Sequence, residues 1–263
     1  MFTKTSSYMQ TKFTELTDSQ WEIIEKIVSH HNPRKHSLRT IVNAILWICR
    51  TGSQWRNMDS KYPPWNSVYD YFYQWSRNGI WDEILSTLVR IERQRKDREA
   101  EPSMIAIDSQ SIKSSSFISS ETIGIDGGKK IRGRKRHIAT DSEGILMAVY
   151  VSAADVHDGV AGLELLHQIE KKTQRLALIR TDGSYTGMFK NVAENIYGWK
   201  VEAGQRPPDQ KGFVPQKGRW QVERSFGWLN NFRRLAKDFE KTTASAESFI
   251  QIAAISTILA RFV

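Results

Sequence analysis

The stretch MIAIDSQSI, residues 104–112, has the pattern of a buried β-strand followed by a carboxylate. Four apolar residues come first, and turn-forming residues flank the stretch at Glu101-Pro102 and in the serine-rich segment Ser114–Ser120. Asp108 follows the apolar run directly, so we expect the strand to end there. Strands of open α/β sheets deliver polar side chains to a sheet edge in this way, where a site can form. One carboxylate does little chemistry alone, so its partners must lie elsewhere in the chain.

The same pattern is repeated at residues 176–185, LALIRTDGSY, where an apolar run is followed by Asp182 and a glycine. Between the two runs, the sequence predicts an antiparallel hairpin that turns at residues 141–144, and a helix over residues 160–172. This order of elements predicts a mixed sheet in which Asp108 and Asp182 lie on adjacent parallel strands. Two neighbouring carboxylates would repel each other and partly protonate unless a divalent cation lay between them.

A third carboxylate, Glu223, lies in the last helical region that the pattern predicts, RWQVERSFGWLNNFRRL, which begins near residue 219. Val222, Phe226 and Leu229 form its apolar face at spacing i, i+4, i+7, and Glu223 lies one residue off that face. A carboxylate in such a position is usually a surface residue. Here it follows two aspartates at predicted strand ends, and this order favours a shared site.

Asp155, His157 and Asp158 precede the helix over residues 160–172 and have side chains that could bind a metal. N-capping of that helix by Asp158 is the simpler explanation. We therefore expect these three residues to serve loop structure and capping.

The chain is basic, with 38 Lys and Arg against 29 Asp and Glu, which gives a net charge of +9 and favours a polyanionic partner. Basic residues are concentrated beside the proposed acidic site, where bound phosphates would need compensating charge. A run of charge is otherwise usually a solvated surface. The candidate DNA-binding residues are Lys129, Lys130, Arg132, Arg134, Lys135, Arg136, Lys217, Arg219, Arg224, Arg233 and Arg234.

Residues 1–100 have the pattern of four short helices joined by turns, rich in aromatic side chains. Thr17 to Gln20 has the capping-box pattern, and Gly52 and Asn78-Gly79 are typical helix ends. Short helices with tight turns could form a helix-turn-helix DNA reader. A small helical domain with the aromatic residues as its core is the alternative, and for the aromatic stripe itself a core role is favoured.

The chain has a single cysteine, Cys49, so no disulfide framework or cysteine-based zinc site is expected. Its first residues lack the apolar segment of a signal peptide, and no run of 18 apolar residues occurs. We expect a cytoplasmic protein with no membrane partner.

The three acidic motifs together resemble the DDE transposases of bacterial insertion sequences, in the insertion-sequence-five group and close to the insertion-sequence-four group. The motifs are the Asp108 strand, TDGSY at residues 181–185, and RWxVERxFxWLxxFRRL in the last helical region. LTDSQWEII and residues 45–56 resemble that family's N-terminal domain. In the related Tyr-Arg-Glu-Lys signature, the Tyr and Lys positions are Gln216 and Asn230 here, and only Arg219 and the Glu match.

The resemblance implies an α/β fold: an RNase H-like mixed sheet flanked by helices over residues 101–263, preceded by a small all-helical domain over residues 1–100 that binds DNA. It also implies Asp108, Asp182 and Glu223 as the catalytic triad, which would hold two Mg²⁺ or Mn²⁺ ions. Such a pair of ions supports phosphodiester hydrolysis and transesterification.

The partners implied are double-stranded DNA, as terminal inverted repeats and target DNA, and a second copy of the chain in a homodimer or higher oligomer on DNA. A bacterial, nucleoid-associated protein is then expected. Three alternatives remain open: an inactivated or repurposed transposase that binds DNA without cutting it, an RNase H-like nuclease without strand transfer, and a basic enzyme acting on a small anionic metabolite.

Overall fold

The computed structural model describes residues 12–29, 35–204 and 220–262. The chain forms two compact units, one of Met1–Leu88, Leu229–Ala236 and Ser248–Val263, the other of Val89–Trp228 and Lys237–Glu247. Packing thus assigns two C-terminal segments to the unit that contains the N-terminus. The division at residue 100, understood as a division into functional domains, stays a prediction.

The first unit is helical, and capping residues define where two of its helices begin or end. They are α1 (Asp18–Val28), α2 (Leu38–Thr51), α3 (Trp65–Arg77) and α4 (Ile80–Gln94), whose last turns belong to the second unit. Thr17 forms the predicted capping box with Gln20: its hydroxyl accepts the Gln20 amide, and the Gln20 side chain accepts the Thr17 amide. Gly52 ends α2 in the left-handed conformation, with φ +70°.

The aromatic side chains of α3 form core in this unit, as expected. Phe72 and Trp75 are buried, and Phe72 stacks on Phe249 with ring centroids 4.7 Å apart. Phe249 belongs to α8 (Thr243–Leu259), a helix that the sequence pattern did not predict and most of which lies in this unit. Cys49 is buried, as expected, and its thiol donates to the Phe249 carbonyl at 3.7 Å.

In the residues that the structure describes, the second unit contains a six-stranded mixed sheet. Its strands are β1 (Met104–Lys113), β2 (Gly124–Asp126), β3 (Ile131–Asp141), β4 (Leu146–Ala153), β5 (Leu178–Asp182) and β6 (Lys200–Gly204). β3 pairs antiparallel with β1, β2 and β4, and β5 pairs parallel with β1 and β6. This is the mixed sheet that the resemblance implied, and it confirms the predicted hairpin and the parallel β1–β5 pair.

The helices of the second unit include α5 (Asp158–Glu170), α6 (Met188–Asn195) and most of α7 (Trp220–Leu229). A buried ion pair between Arg93 and Asp141 ties the end of α4 to the end of β3. Within the parts of the chain that the structure describes, no helix has the length and apolar character needed to cross a membrane.

Candidate active site

Asp108 and Asp182 lie side by side on neighbouring parallel strands. The β1–β5 register pairs Met104 with Leu178 and Ala106 with Arg180, and continuing it by two residues sets Asp108 level with Asp182. Paired strands lie about 4.8 Å apart, and the aspartates follow two residues after the last pair, Ala106 with Arg180.

Asp182 is the last residue of β5, as predicted, whereas Asp108 lies in the middle of β1. The expectation that the first strand ends at Asp108 was wrong, because β1 continues to Lys113 through its antiparallel pairing with β3. What ends near Asp108 is the pairing of β1 with β5, whose last pair is Ala106 with Arg180.

The buried phenol of Tyr185 lies close to the acidic residues of the site. Tyr185 is fully buried, and burial raises the pKa of its hydroxyl well above the usual value. The negative charges of Asp158, Asp108 and Asp182, in that order, raise this pKa further, while a hydrogen bond with Ser109 lowers it. Three aspartates therefore act on one hydroxyl group, and Asp158 has the largest influence of the three.

Asp158 makes hydrogen bonds to three side chains of the site. Its Oδ2 accepts from the hydroxyls of Ser109 at 3.1 Å and Ser184 at 3.3 Å, and its Oδ1 accepts from the Lys135 ammonium at 2.8 Å. The Ser184 hydroxyl also lies within hydrogen-bonding distance of Asp182, and its single proton is donated to one of the two carboxylates at a time. Burial alone would raise the pKa of Asp158. The hydrogen bond and the charge of Lys135, together with smaller effects of His137 and Ser109, outweigh burial and lower the pKa.

The predicted capping role of Asp158 was wrong. The N-cap of α5 is His157, whose Nδ1 accepts from the Gly159 amide at 3.1 Å, and Asp158 is the first residue of the helix. Because the cap is provided by the neighbouring histidine, the aspartate side chain can bond to the strands instead. In the sequence, only the grouping of Asp155, His157 and Asp158 before the helix pointed to a role for Asp158.

His137 lies on β3, next to the Tyr185 side chain, and is completely buried. Its Nδ1 lies 3.3 Å from the Tyr185 hydroxyl, and its Nε2 lies 2.9 Å from the Ser152 hydroxyl. Burial is the main reason that the pKa of His137 is lowered to about 4, so the ring is neutral near pH 7. Sequence reasoning gave this residue no role.

Glu223 lies on α7, which is fastened to the turn between β3 and β4. The Ser225 hydroxyl donates to the Gly144 carbonyl at 2.7 Å, and Arg224 donates to the Glu143 carbonyl at 2.9 Å. Glu223 itself is half-buried. Over residues 12–29, 35–204 and 220–262, no three His, Cys, Asp or Glu side chains form a group that could hold a metal ion, so Glu223 does not complete such a group with the two aspartates.

The donor chemistry of the aspartate pair nevertheless fits a divalent cation. Carboxylate oxygens are the hard ligands that Mg²⁺ and Mn²⁺ prefer. Asp108 and Asp182 present two such groups at one level of the sheet. Among the described residues, these two could therefore hold a cation here.

Four of the basic residues predicted to bind DNA are exposed. Lys129, Lys130 and Arg132 lie in and beside the turn between β2 and β3, and Arg233 lies in the helical unit. Two others are partly engaged: Lys135 pairs with Asp158, and Arg224 lies over the rings of Trp220 and Trp228 at 4.1 and 4.6 Å. Lys217 and Arg219 lie outside the described residues, as does Gln216.

Three predicted DNA contacts, Arg134, Arg136 and Arg234, are corrected by their burial. Arg134 is fully buried and pairs with Asp238 at 3.0 Å, and Arg136 is only 3% exposed. Arg234 is buried, donates to the Ser53 carbonyl at 3.4 Å and lies over the Phe249 ring. Arg134 and Arg234 thus bond to residues that are distant in sequence, Asp238 and Ser53.

The chain belongs to the family of DDE-domain transposases. The family described as "Transposase DDE domain" matches residues 99–259, which is more than half of the chain. The family described as "Putative transposase of IS4/5 family" matches residues 16–85. The resemblance inferred from the acidic motifs is thereby confirmed.

Two curated relatives cover parts of the chain. An "Uncharacterized protein y4sN" of Sinorhizobium fredii is 33% identical over 79 residues, 28% of this chain and 63% of that protein. A "Putative transposase for insertion sequence element IS402" of Burkholderia cepacia is 29% identical over 127 residues, 46% of this chain and 60% of that protein. The chain thus matches about three fifths of the length of each relative.

Two solved structures also align with the chain. They are described as the Mos1 strand transfer complex, with TM-score 0.32 and 12% identity, and a pre-cleavage Mos1 transpososome, with TM-score 0.31 and 11% identity. Each alignment covers 89% of this chain, and 78% and 79% of the respective Mos1 chain.

Proposed function

We propose that this protein is a transposase that cuts DNA at the ends of an insertion sequence and joins the released 3′-hydroxyl to target DNA. The observation that carries the proposal is the parallel pairing of β1 and β5 in a DDE-transposase domain, since its register, continued by two residues, sets Asp108 level with Asp182.

Asp108 and Asp182 are proposed to hold Mg²⁺ or Mn²⁺, with Glu223 as the third acidic ligand. Two bound cations would activate the attacking oxygen and stabilise the leaving oxygen of a phosphodiester. Asp108, Asp182 and Glu223 would together hold the cations through their carboxylate oxygens.

The proposed substrate is double-stranded DNA, held through its phosphates by exposed basic residues. Lys129, Lys130 and Arg132 form one basic turn beside the sheet, and the overall charge of +9 favours this polyanion. Both ends of the DNA element must be held in one protein assembly to be joined to target DNA. We therefore propose that two or more copies of the protein act together on DNA.

The proposal is tested with labelled DNA that carries the ends of the element encoding this protein. Nicking at the element boundary with Mg²⁺ or Mn²⁺, none with EDTA, and later joined products are expected. Because each variant removes one of the three proposed cation ligands, Asp108→Asn and Asp182→Asn should each lower the cleavage rate by about a hundredfold or more, whereas DNA affinity should change less than about threefold.

Glu121→Gln, which removes one carboxylate from an exposed site, is the matched control and should cleave as the unchanged protein does. Cleavage by Asp108→Asn in Mg²⁺ would overturn the assignment of this residue. Specific binding to the ends without cutting in either metal would favour a DNA-binding protein, and cutting without joined products would favour a nuclease.

A further inference from the structure

Beyond the three acidic residues of the family motif, we infer that Asp158 is a positioning residue that holds Asp108 and Asp182 level with each other by binding Ser109 and Ser184. The inference rests on the proposed function, because it concerns the same site.

The hydrogen bonds of Asp158 connect the two strands that carry the acidic pair. Ser109 directly follows Asp108 on β1, and Ser184 lies two residues after Asp182, at the end of β5. One carboxylate oxygen of Asp158 lies within hydrogen-bonding distance of both hydroxyls, at 3.1 and 3.3 Å. The parallel pairing of β1 and β5 extends only to Ala106 and Arg180, so side chains rather than the backbone ladder join the strands at the level of the aspartates.

Ser184 connects Asp158 directly to the proposed ligand. Its hydroxyl lies within hydrogen-bonding distance of both Asp158 and Asp182, and its backbone amide donates to Asp182 Oδ1 at 2.9 Å. These bonds fix the turn after β5 and therefore the direction in which the Asp182 carboxylate points. Groups that bind and orient ligands in this way commonly change metal affinity by about 10–100-fold when removed.

Lys135 explains how a third carboxylate can be accommodated beside the pair. Its ammonium donates to Asp158 at 2.8 Å and to the Val156 carbonyl at 2.9 Å, and its side chain is only 12% exposed. The charge of Asp158 is thus balanced locally. Lys135 is therefore assigned to Asp158 rather than to DNA phosphates.

The alternative is that Asp158 merely fastens the start of α5. That role does not require a bond with Ser184, because the helix is capped by His157. Changing Ser184 alone leaves the Lys135–Asp158 pair and the cap in place, so Ser184 variants separate the two roles.

The test measures Mn²⁺ binding to the protein without DNA, by electron paramagnetic resonance of free Mn²⁺, and the Mg²⁺ dependence of cleavage. Asp158→Asn and Ser184→Ala should each weaken Mn²⁺ binding about tenfold. Ser184→Thr, which keeps the hydroxyl, should restore most of the affinity. Cleavage by Ser184→Ala should recover at high Mg²⁺, and DNA affinity should be unchanged.

Glu164→Gln is the matched control, since it removes one carboxylate from the exposed side of the same helix and should bind Mn²⁺ normally. If Asp158→Asn does not fold, Ser184→Ala and Ser184→Thr decide the case. Unchanged Mn²⁺ binding in Ser184→Ala would overturn the positioning role alone. Failure of the unchanged protein to bind Mn²⁺ would overturn the proposed function and this inference together.

Discussion

At the scale of single residues, the site combines acidic side chains with a neutral, buried histidine. His137 has no exposed surface, and its two ring nitrogens lie within hydrogen-bonding distance of Tyr185 and Ser152. Burial outweighs the attraction of Asp158, so the pKa falls from 6.5 to about 4. The charges of Lys135 and Lys129 lower it further.

This shift predicts a loss of stability in mild acid. Between pH 6.5 and about 4, the unfolded chain binds a proton at His137 and the folded protein does not, so the free energy of unfolding falls as pH falls. The effect approaches about 1.4 kcal/mol per pH unit across this window and is absent above it. Urea unfolding at about pH 7.5 and about pH 5 should show a loss up to about 2 kcal/mol greater in the unchanged protein than in His137→Asn.

The matched control for this prediction is His167→Asn, because His167 is exposed on α5. It should keep the pH dependence of the unchanged protein. Equal losses in His137→Asn and the unchanged protein would contradict the assigned neutral state of His137.

At the scale of elements, the position of Glu223 depends on the turn between β3 and β4. Gly144 has φ +72°, and a Cβ added there would lie 2.9 Å from the Ser225 hydroxyl and 3.0 Å from the Gln221 carbonyl oxygen. Only a glycine allows α7 to approach this turn so closely. The Gly144 carbonyl accepts from the Ser225 hydroxyl and so holds the helix in place.

Gly144→Ala should therefore displace α7 and lower the rate of DNA cleavage more than it lowers DNA affinity. Gly198→Ala is the control, because Gly198 also has φ +72° but has no atom within 4 Å of an added Cβ. Both variants incur about 1–2 kcal/mol of backbone strain. A cleavage rate in Gly144→Ala equal to that in Gly198→Ala, with both folded, would show that the close approach of α7 does not matter.

How far the sequence predicts each element depends on whether local signals determine it. The capping box of α1 and the β3–β4 hairpin follow from nearby residues and were predicted. Helix α8 was missed because residues 249–259 are largely buried and lack the polar face that gives a helix its period. The hydrogen bonds of Asp158 were missed because Ser109, Ser184 and Lys135 are distant from it in sequence.

At the scale of the whole molecule, the net charge of +9 overstates the basic surface, because several basic residues lie inside the protein. A run of six basic residues between Lys129 and Arg136 looks uniform in sequence, but on β3 its later members turn inward. Arg134 and Arg136 are covered, whereas Lys129, Lys130 and Arg132 remain at the surface. The burial of Arg134 depends on its pairing with Asp238, which lies more than 100 residues away and which no local pattern predicts.

Replacing Lys129, Lys130 and Arg132 together by Gln should weaken DNA binding and flatten its dependence on salt. Removal of each bond to a phosphate lowers the slope of log K against log salt by about 0.9, because fewer counterions are released on binding. Triple replacement of Lys171, Lys190 and Lys200, all exposed, removes the same charge from other surface positions and should leave the slope nearly unchanged. Titration of DNA by fluorescence anisotropy at several salt concentrations measures both variants. Equal slopes for the two would mean that DNA responds to the overall charge, whereas a smaller slope for the first alone would identify the β2–β3 turn as a phosphate-binding surface.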